Sequence, residues 1–278
     1  MPASRRMWRL IEPIHAVTYF AQEAVESASR AGYRGFWMGY FACRLAPLGP
    51  VGPQVATALC YGFAPTRVAR ALPDAWAFAG PEEALSARLT GATATLRRVG
   101  SDALKLQEVA DLIWEASMNA DSAGRVLAAA NQALPKPDDP LGIVWQAATT
   151  LREHRGDGHN AALVAADVTP VQAHWLKIAA GDTDAQTLTI SRGWPDETWQ
   201  QGRQDLQARG WLDRSAALTL QGHAARDSIE QQTDTAATSP WDHLGPSNTD
   251  RLAQLIAPLT KAIRQAGILP LQNPIGMR

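Results

Sequence analysis

Apolar residues recur at helical spacing along most of the chain. Arg5–Ile11 reads as a short helix running into Glu12-Pro13-Ile14-His15, where Pro13 either kinks it or starts a new helix at its first turn. Ala16–Ala31 reads as helix with Val17, Phe20, Ala24 and Ala28 on one face, weakened at Gly32. Gly35–Arg44 is apolar nearly all round, the mark of a buried helix, so Arg44 at its end needs a carboxylate or ligand partner. After the Pro47–Pro53 turn, helices are expected over Gln54–Tyr61 and Pro65–Leu72. Pro81-Glu82-Glu83 opens another, with proline and acids in its first turn, running to about Val99. Ser101-Asp102 opens the next, through Leu104–Ala116, and Ser122–Leu134 follows. Pro135–Pro140 is the clearest break, and a helix carrying Trp145 and Leu151 starts at Leu141.

The pattern changes from Thr169. Three helices are expected over Val171–Ala180, Asp184–Ser191 and Pro195–Arg209, then two short strands, Trp211–Arg214 and Ala217–Leu220. A helix over His223–Thr238 and another within Trp241–Gly267 close the chain. Leu206-Gln207-Ala208-Arg209-Gly210-Trp211-Leu212 and Leu218-Thr219-Leu220-Gln221-Gly222 resemble the LxxxGWL…LTxxG pattern of MarR-type regulators. There Leu206 packs the third helix on the core, Gly210 permits a left-handed exit and Leu212 starts the wing. The fold class expected is mainly α: a helical N-terminal domain plus a C-terminal winged helix-turn-helix with a small two-stranded wing. The boundaries read as 1–136 for a helical ligand-pocket domain, 137–168 for a linking helix and polar loop, 169–240 for the winged helix-turn-helix and 241–278 for a C-terminal helix and tail.

Composition narrows the classes. With 46% hydrophobic residues the 278-residue chain supports a sizeable core, and a net charge of −1 argues against a generally basic surface that coats nucleic acid. Two cysteines, Cys43 and Cys60, are too few for a disulfide framework and read as buried thiols in a reducing compartment. The basic start lacks a following apolar stretch and no segment reaches the length of a membrane span, so the expected location is cytoplasmic, with no membrane partner.

Two polar segments stand out. Glu12 and His15 have ExxH spacing, which puts both on one helix face; di-iron carboxylate sites use that spacing, but in duplicate, and only one copy is present. Arg152–His159 are all charged, His or Gly at the end of an apolar helix. His154, Asp157 and His159 match a 2-His-1-carboxylate metal site; equally, Arg152 and Arg155 suit an anionic ligand, or the segment is a solvated helix end capped by Gly156. Whether a metal, haem or other cofactor is held stays open at this level. Trp37 and Trp145 are pocket-wall or core residues.

The would-be DNA-reading helix carries Gln200, Gln201, Arg203 and Gln204, with Arg214 in the wing, as candidate DNA contacts. Over Pro195–Glu230, however, Arg203, Arg209, Arg214 and Arg226 are outnumbered by Asp196, Glu197, Asp205, Asp213, Asp227 and Glu230. GxSxG, GxGxxG and GxxxxGK[ST] patterns are absent, which disfavours a hydrolase elbow or a nucleotide fold.

EPIHAVTYF (12–20), GFWMGYFACRLAPLGPV (35–51), YGFAP (61–65) and REHRGDGHNAAL (152–163), with the late RGW, ARGWL and LTLQG, resemble a family of actinobacterial helix-turn-helix proteins over most of the chain. The resemblance implies a helix-turn-helix fold and leaves both DNA binding and catalysis open. Two functions compete. One is a small-molecule binder of winged-helix regulator type, a homodimer with DNA as a further candidate partner, its pocket lined by Glu12, His15, Tyr19, Trp37, Tyr40, Arg44, Arg152, Arg155, His159 and Asn160. The other is an enzyme on a repurposed winged-helix scaffold, with His15 or His154 as base or metal ligand, Glu12 or Asp157 as its carboxylate, and Tyr19 as proton donor.

Overall fold

A single long helix organises the chain. In the computed structural model, which describes residues 1–100 and 105–276, this helix (α9) spans Pro140–Ala165 and packs chiefly against five others. Asp139 caps it, its carboxylate accepting from the Leu141 N–H, and Pro140 occupies the first turn, where no N–H is needed. Around it lie α1 (Ala3–Phe20), α6 (Pro81–Arg98), α7 (Leu106–Met118), α8 (Val126–Gln132) and α13 (Leu220–Ala236). The last helix, α14 (Ser239–Gln265), breaks at Gly245 and returns to α1 and α7. Met7, Ile11 and Ile14 of α1 meet Val109 and Ile113 of α7, Val144 and Trp145 of α9, and Leu252, Ile256 and Ile263 of α14 in one core. A second core gathers α3 (Phe36–Leu45), α4 (Pro53–Leu59) and α5 (Pro65–Ala69) around Phe41, Leu45 and Leu72. The amphipathic α2 (Gln22–Arg30) lies across α6.

Two expectations in this part change. The chain is helical straight through Pro13, which is buried inside α1; the interruption falls at Ala21, whose backbone is extended (φ −77°, ψ 141°). The stretch Arg152–His159 is neither a loop nor a helix end but the interior of α9. Glycines cost an exposed helix about 1 kcal/mol each relative to alanine; here tertiary contacts offset that cost. A side chain on Gly158 would place its Cβ 2.6 Å from the Arg125 guanidinium, which threads past it to donate to the carbonyls of His154 (3.1 Å) and Ala236 (2.6 Å). The expected helix start at Ser101-Asp102 lies outside the described residues.

The segment expected to form the helix-turn-helix comprises α10 (Pro170–Ala179), α11 (Ala185–Arg192) and α12 (Asp196–Ala208), followed by α13. Thr169 and Gln172 form a reciprocal capping box at α10, and the Asp184 carboxylate caps α11. Gly193, left-handed, makes the turn into α12. Leu163, Leu176, Leu206, Trp211, Leu212 and Ile229 form the unit's core, and Leu188 and Trp199 a smaller one beside it.

The expected two-stranded wing is absent. Among the described residues no strand forms, and the only trace is one antiparallel bridge between Leu212 and Leu218. Competing local bonds explain this. The Asp213 carboxylate gathers the N–H groups of Ser215 and Ala217 into a tight turn. Thr219 is committed to capping α13, its hydroxyl accepting from the Gly222 N–H at 3.0 Å. Among the described residues the backbone bonds across the hairpin are those from the Asp213 N–H to the Ala217 carbonyl at 2.9 Å and from the Thr219 N–H to the Trp211 carbonyl at 3.1 Å, too few for a ladder. The LTxxG pattern therefore encodes a helix start: a Cβ on Gly222 would lie 2.0 Å from the Trp211 carbonyl oxygen, so only glycine admits this approach. Gly210, at φ 69°, gives α12 the expected left-handed exit.

Candidate functional site

Between the helical body and the helix-turn-helix lies a cleft of about 940 Å³. Its body wall is built by α1, α3, the 59–63 turn and one face of α9, its other wall by α10, the end of α11 and α13, and residues 274–276 close one side. The α9 face explains the polar motif. Arg152, Arg155, Gly156, His159, Asn160 and Leu163 recur at helical spacing and all line the cleft. His154 and Asp157 project elsewhere. Asp157 accepts from the Ala128 N–H at 3.0 Å, capping α8 from a distance, and burial raises its carboxyl to about 6. His154 is buried with its Nε2 unpartnered among the described residues, and burial, then Arg125, lowers it to about 4. The trio of His154, Asp157 and His159 is therefore divided between helix faces, and no group of three His, Cys, Asp or Glu among the described residues is placed to hold a metal ion. His159 instead pairs with the Thr233 hydroxyl at 2.9 Å.

The two polar segments do converge, through their arginines and carboxylates. Arg44 grips Glu153 with two bonds of 3.0 Å and touches the Tyr40 hydroxyl at 3.3 Å. Arg152 reaches Glu153 at 2.8 Å and Glu12 at 3.5 Å, and Glu12 also accepts from the Trp8 indole at 2.9 Å. Burial alone would raise the Glu153 carboxyl, but Arg152 and Arg44 outweigh it and hold it below the usual carboxylate range. Arg155 is engaged by Asp234 at 2.8 Å and Glu230 at 3.4 Å. Arg44 thus has the carboxylate partner that its sequence setting demanded, and Arg152 and Arg155 are neutralised within the protein.

His15 and Tyr19 sit on one face of α1 beside this array. The Thr149 hydroxyl donates its one proton to the Trp145 carbonyl at 2.9 Å, so it accepts from His15 Nδ1 at 3.0 Å. His15 Nε2 then accepts from the Tyr19 hydroxyl at 3.1 Å. Burial, reinforced by Arg152, pushes the imidazole well below its ordinary pKa, and burial pushes the phenol well above its own. Both groups stay neutral. Tyr19, Phe36, Tyr40 and Arg44 also border a smaller pocket of about 160 Å³ that holds His15, Tyr33, Arg88 and Cys43. Arg88 is buried there with no carboxylate at ion-pair distance among the described residues, donating to the Cys43 carbonyl, Asn131 and Gln146. Trp37 lines the large cleft, edge-on to Phe63 at 5.6 Å between ring centres; Trp145 is core, as its helical spacing allowed.

Several cleft residues had no sequence signal strong enough to single them out. Lys177, Arg192, Tyr61 and Phe63 reach the cleft only through the docking of the helix-turn-helix on the 59–64 turn. That docking rests on the Trp194 indole and His174 imidazole meeting the Gly62 carbonyl at 3.0 and 2.8 Å, the Ala64 N–H meeting the Arg192 carbonyl at 3.0 Å, and a bond from the Tyr61 hydroxyl to the Val168 carbonyl. Tyr61, Phe63 and Arg192 fell within the YGFAP and RGW motifs without a role attached, and Lys177 stood out only as a lone lysine between Leu176 and Ile178.

On the outer face, α12 exposes Asp196, Glu197, Gln200, Gln201 and Gln204. Arg203 lies over the Trp175 ring at 5.8 Å, and Arg209 covers Trp211 at 3.9 Å while donating to the Ala166 and Asp167 carbonyls. The arginines of this helix are thus folded back on the protein, and Arg214 alone of the singled-out arginines stands exposed.

The fold is helical throughout the described elements, with the capped α10–α12 unit set beside the helical body. The sequence pattern described as "Helix-turn-helix family" matches residues 4–270, and the chain belongs to that family. Comparisons with curated proteins and with solved structures found no match. No helix among the described residues is long and apolar enough to cross a membrane.

Proposed function

We propose that the protein is a small-molecule binder of helix-turn-helix regulator type. The observation that carries this reading is the cleft of about 940 Å³ whose two walls belong to the helical body and to the helix-turn-helix. A molecule that fills it touches both, so its binding energy differs between relative positions of the two, which is the requirement for a ligand to shift one against the other. Size, aromatic lining and a few convergent polar groups are those of ligand sites. Glu12, Tyr19, Trp37, Tyr40, Arg44, Arg152, Arg155, His159 and Asn160 line it. Catalysis by the His15–Tyr19 pair is the weaker reading: an acid–base pair works best with pKa values near ambient pH, and burial drives these two apart. The pair acts as a polar anchor.

DNA is the partner of the outer face in this reading. With two acids leading α12 and its arginines folded back, retention depends on Gln200, Gln201, Gln204 and Arg214 and is weak and salt-sensitive. A symmetric dimer, which presents two such units to successive turns of DNA, completes the proposal and is checked by light scattering on the eluted protein.

The test uses 8-anilinonaphthalene-1-sulfonate as probe. Hydrogen exchange is followed with and without it, alongside anisotropy of a labelled random 40-base-pair duplex at low salt. The expected result is protection on both cleft walls, in residues 152–163 and 173–181, together with a changed affinity for the duplex. Protection confined to the outer surface, or no retention of DNA in either state, overturns the regulator reading.

A further inference from the structure

The cleft's cations are not equivalent. Arg44, Arg152, Arg155 and Arg226 each face a carboxylate: Glu153, Glu12 with Glu153, Asp234 with Glu230, and Asp182. Arg9 and Arg264 stand exposed at the mouth, where water screens them. Lys177 and Arg192 differ from both groups. They are partly buried on the helix-turn-helix wall, and neither has a carboxylate within ion-pair distance among the described residues. Their hydrogen-bond partners are neutral carbonyls of the C-terminal segment. Lys177 donates to Pro274 and Ile275 at 3.2 and 2.9 Å, and Arg192 to Pro274 at 3.4 Å.

Two adjacent cations held this way repel each other. Burial, then the Arg192 guanidinium, lowers Lys177 to about 8, against the opposing pull of Asp182, Glu12 and Glu230 from beyond ion-pair distance. Carbonyl dipoles satisfy the donors but bring no anion into contact with them; an oxyanion does both and makes stronger, charge-assisted bonds. Beside the pair stands a wall of rings. The Arg192 guanidinium lies 4.4 Å over Phe63, which meets Trp37 at 5.6 Å and Tyr40 at 5.4 Å between centres.

We propose that Lys177 and Arg192 form the oxyanion subsite of the cleft, taking a carboxylate or phosphate carried by a planar aromatic body that rests against Phe63, Trp37 and Tyr40. The inference deepens the ligand-binding reading and rests on it. It moves the anion site away from Arg152 and Arg155, whose charge is already spent on Glu12, Glu153, Glu230 and Asp234. The two bonds to Pro274 and Ile275 tie the subsite to the chain's C-terminal segment, so an arriving oxyanion exchanges with those carbonyls.

The experiment titrates the full chain with three matched probes, 2-naphthoate, 2-naphthyl phosphate and neutral 2-naphthol, by calorimetry. Wild type is expected to bind at least one of the two anions at least tenfold more tightly than the naphthol, and the preferred anion tells carboxylate from phosphate. In K177Q/R192Q the anion's affinity falls at least tenfold while naphthol binding holds within twofold; W37A weakens the anion and the naphthol alike. R264Q, at the mouth, leaves all three unchanged. Thermal melts establish that each variant is folded, and the single variants K177Q and R192Q replace the double one if it is not. Equal binding of anion and naphthol, or an anion affinity indifferent to Lys177 and Arg192, overturns the subsite and leaves the cleft reading standing. Failure of all three probes overturns the aromatic-anion inference, while the exchange experiment above judges the cleft itself.

Discussion

Removing one carboxylate tests whether the charge array holds the floor of the cleft. Glu153 is 2% exposed and lies between Arg44, at 3.0 Å twice, and Arg152, at 2.8 Å. Glu153→Gln keeps the shape and one acceptor but removes the negative charge, leaving the Arg44 guanidinium, itself 10% exposed, without a counterion. Breaking a buried pair from one side typically costs about 3–5 kcal/mol, because an uncompensated buried charge remains. At about 2.1 cal/mol/K of unfolding entropy per residue, the 278-residue chain has a ΔS of about 0.6 kcal/mol/K, so Tm should fall by about 5–9 °C. Arg44→Met combined with Glu153→Met removes both charges, while Arg152 retains Glu12 at 3.5 Å. That double variant should lose less than half as much as E153Q, because desolvation of the pair is removed along with its attraction. Calorimetric melts of wild type, E153Q, R44M and R44M/E153M decide the matter. An E153Q melt within about 1 °C of wild type, or strictly additive losses in the double variant, would refute the reasoning.

The same burial predicts sensitivity to acid. Burial depresses His15, His154, His159 and His174, the last three to about 4, 4 and 3, so the stability tied to their neutral forms is present above pH 6.5 and lost as pH falls toward 4. Asp157, raised to about 6, opposes them by one proton. The net of about three protons gives a slope of at most about 4 kcal/mol per pH unit near pH 5, read from urea melts at pH 7, 6 and 5; a flat profile contradicts the burial of these imidazoles. Gly222→Ala forces a Cβ against the Trp211 carbonyl and should cost more than about 2 kcal/mol, whereas Thr219→Ala, which loses only a cap, should cost about 1 kcal/mol; equal effects in melts would count against the assigned roles. Replacing Asp196 and Glu197 with lysine removes the acids that lead α12 and should tighten binding of the random duplex severalfold at low salt, with a steeper salt dependence; unchanged anisotropy would place DNA elsewhere on the molecule.

Much of the local structure was legible in the chain. Proline and acids marked the start of α6, the Pro135–Pro140 break the approach to α9, and Gly210 the end of α12, because helix caps are decided by neighbouring residues whatever the rest of the fold does. The apolar α3, with Arg44 demanding a partner, was legible for a similar reason: burying a charge leaves few solutions. The Arg152–His159 motif was misjudged locally, since its glycines and charges read as a helix end; only packing against Arg125 and α8 keeps it helical, and only helical spacing sorts its residues, sending Arg152, Arg155 and His159 to the cleft and His154 and Asp157 to α8. The wing failed for the opposite cause. Leu212 and Leu218 do bridge, but the Asp213 turn on one side and the helix start at Thr219 on the other leave too short a stretch for a ladder. What tertiary structure alone decided is which cations are neutralised. Arg44 meets Glu153 across 109 residues of chain, whereas among the described residues Lys177 and Arg192 donate to carbonyls rather than to a carboxylate. Charge pairing over such separations depends on which helix faces dock, and that is fixed by the core rather than by any spacing along the sequence.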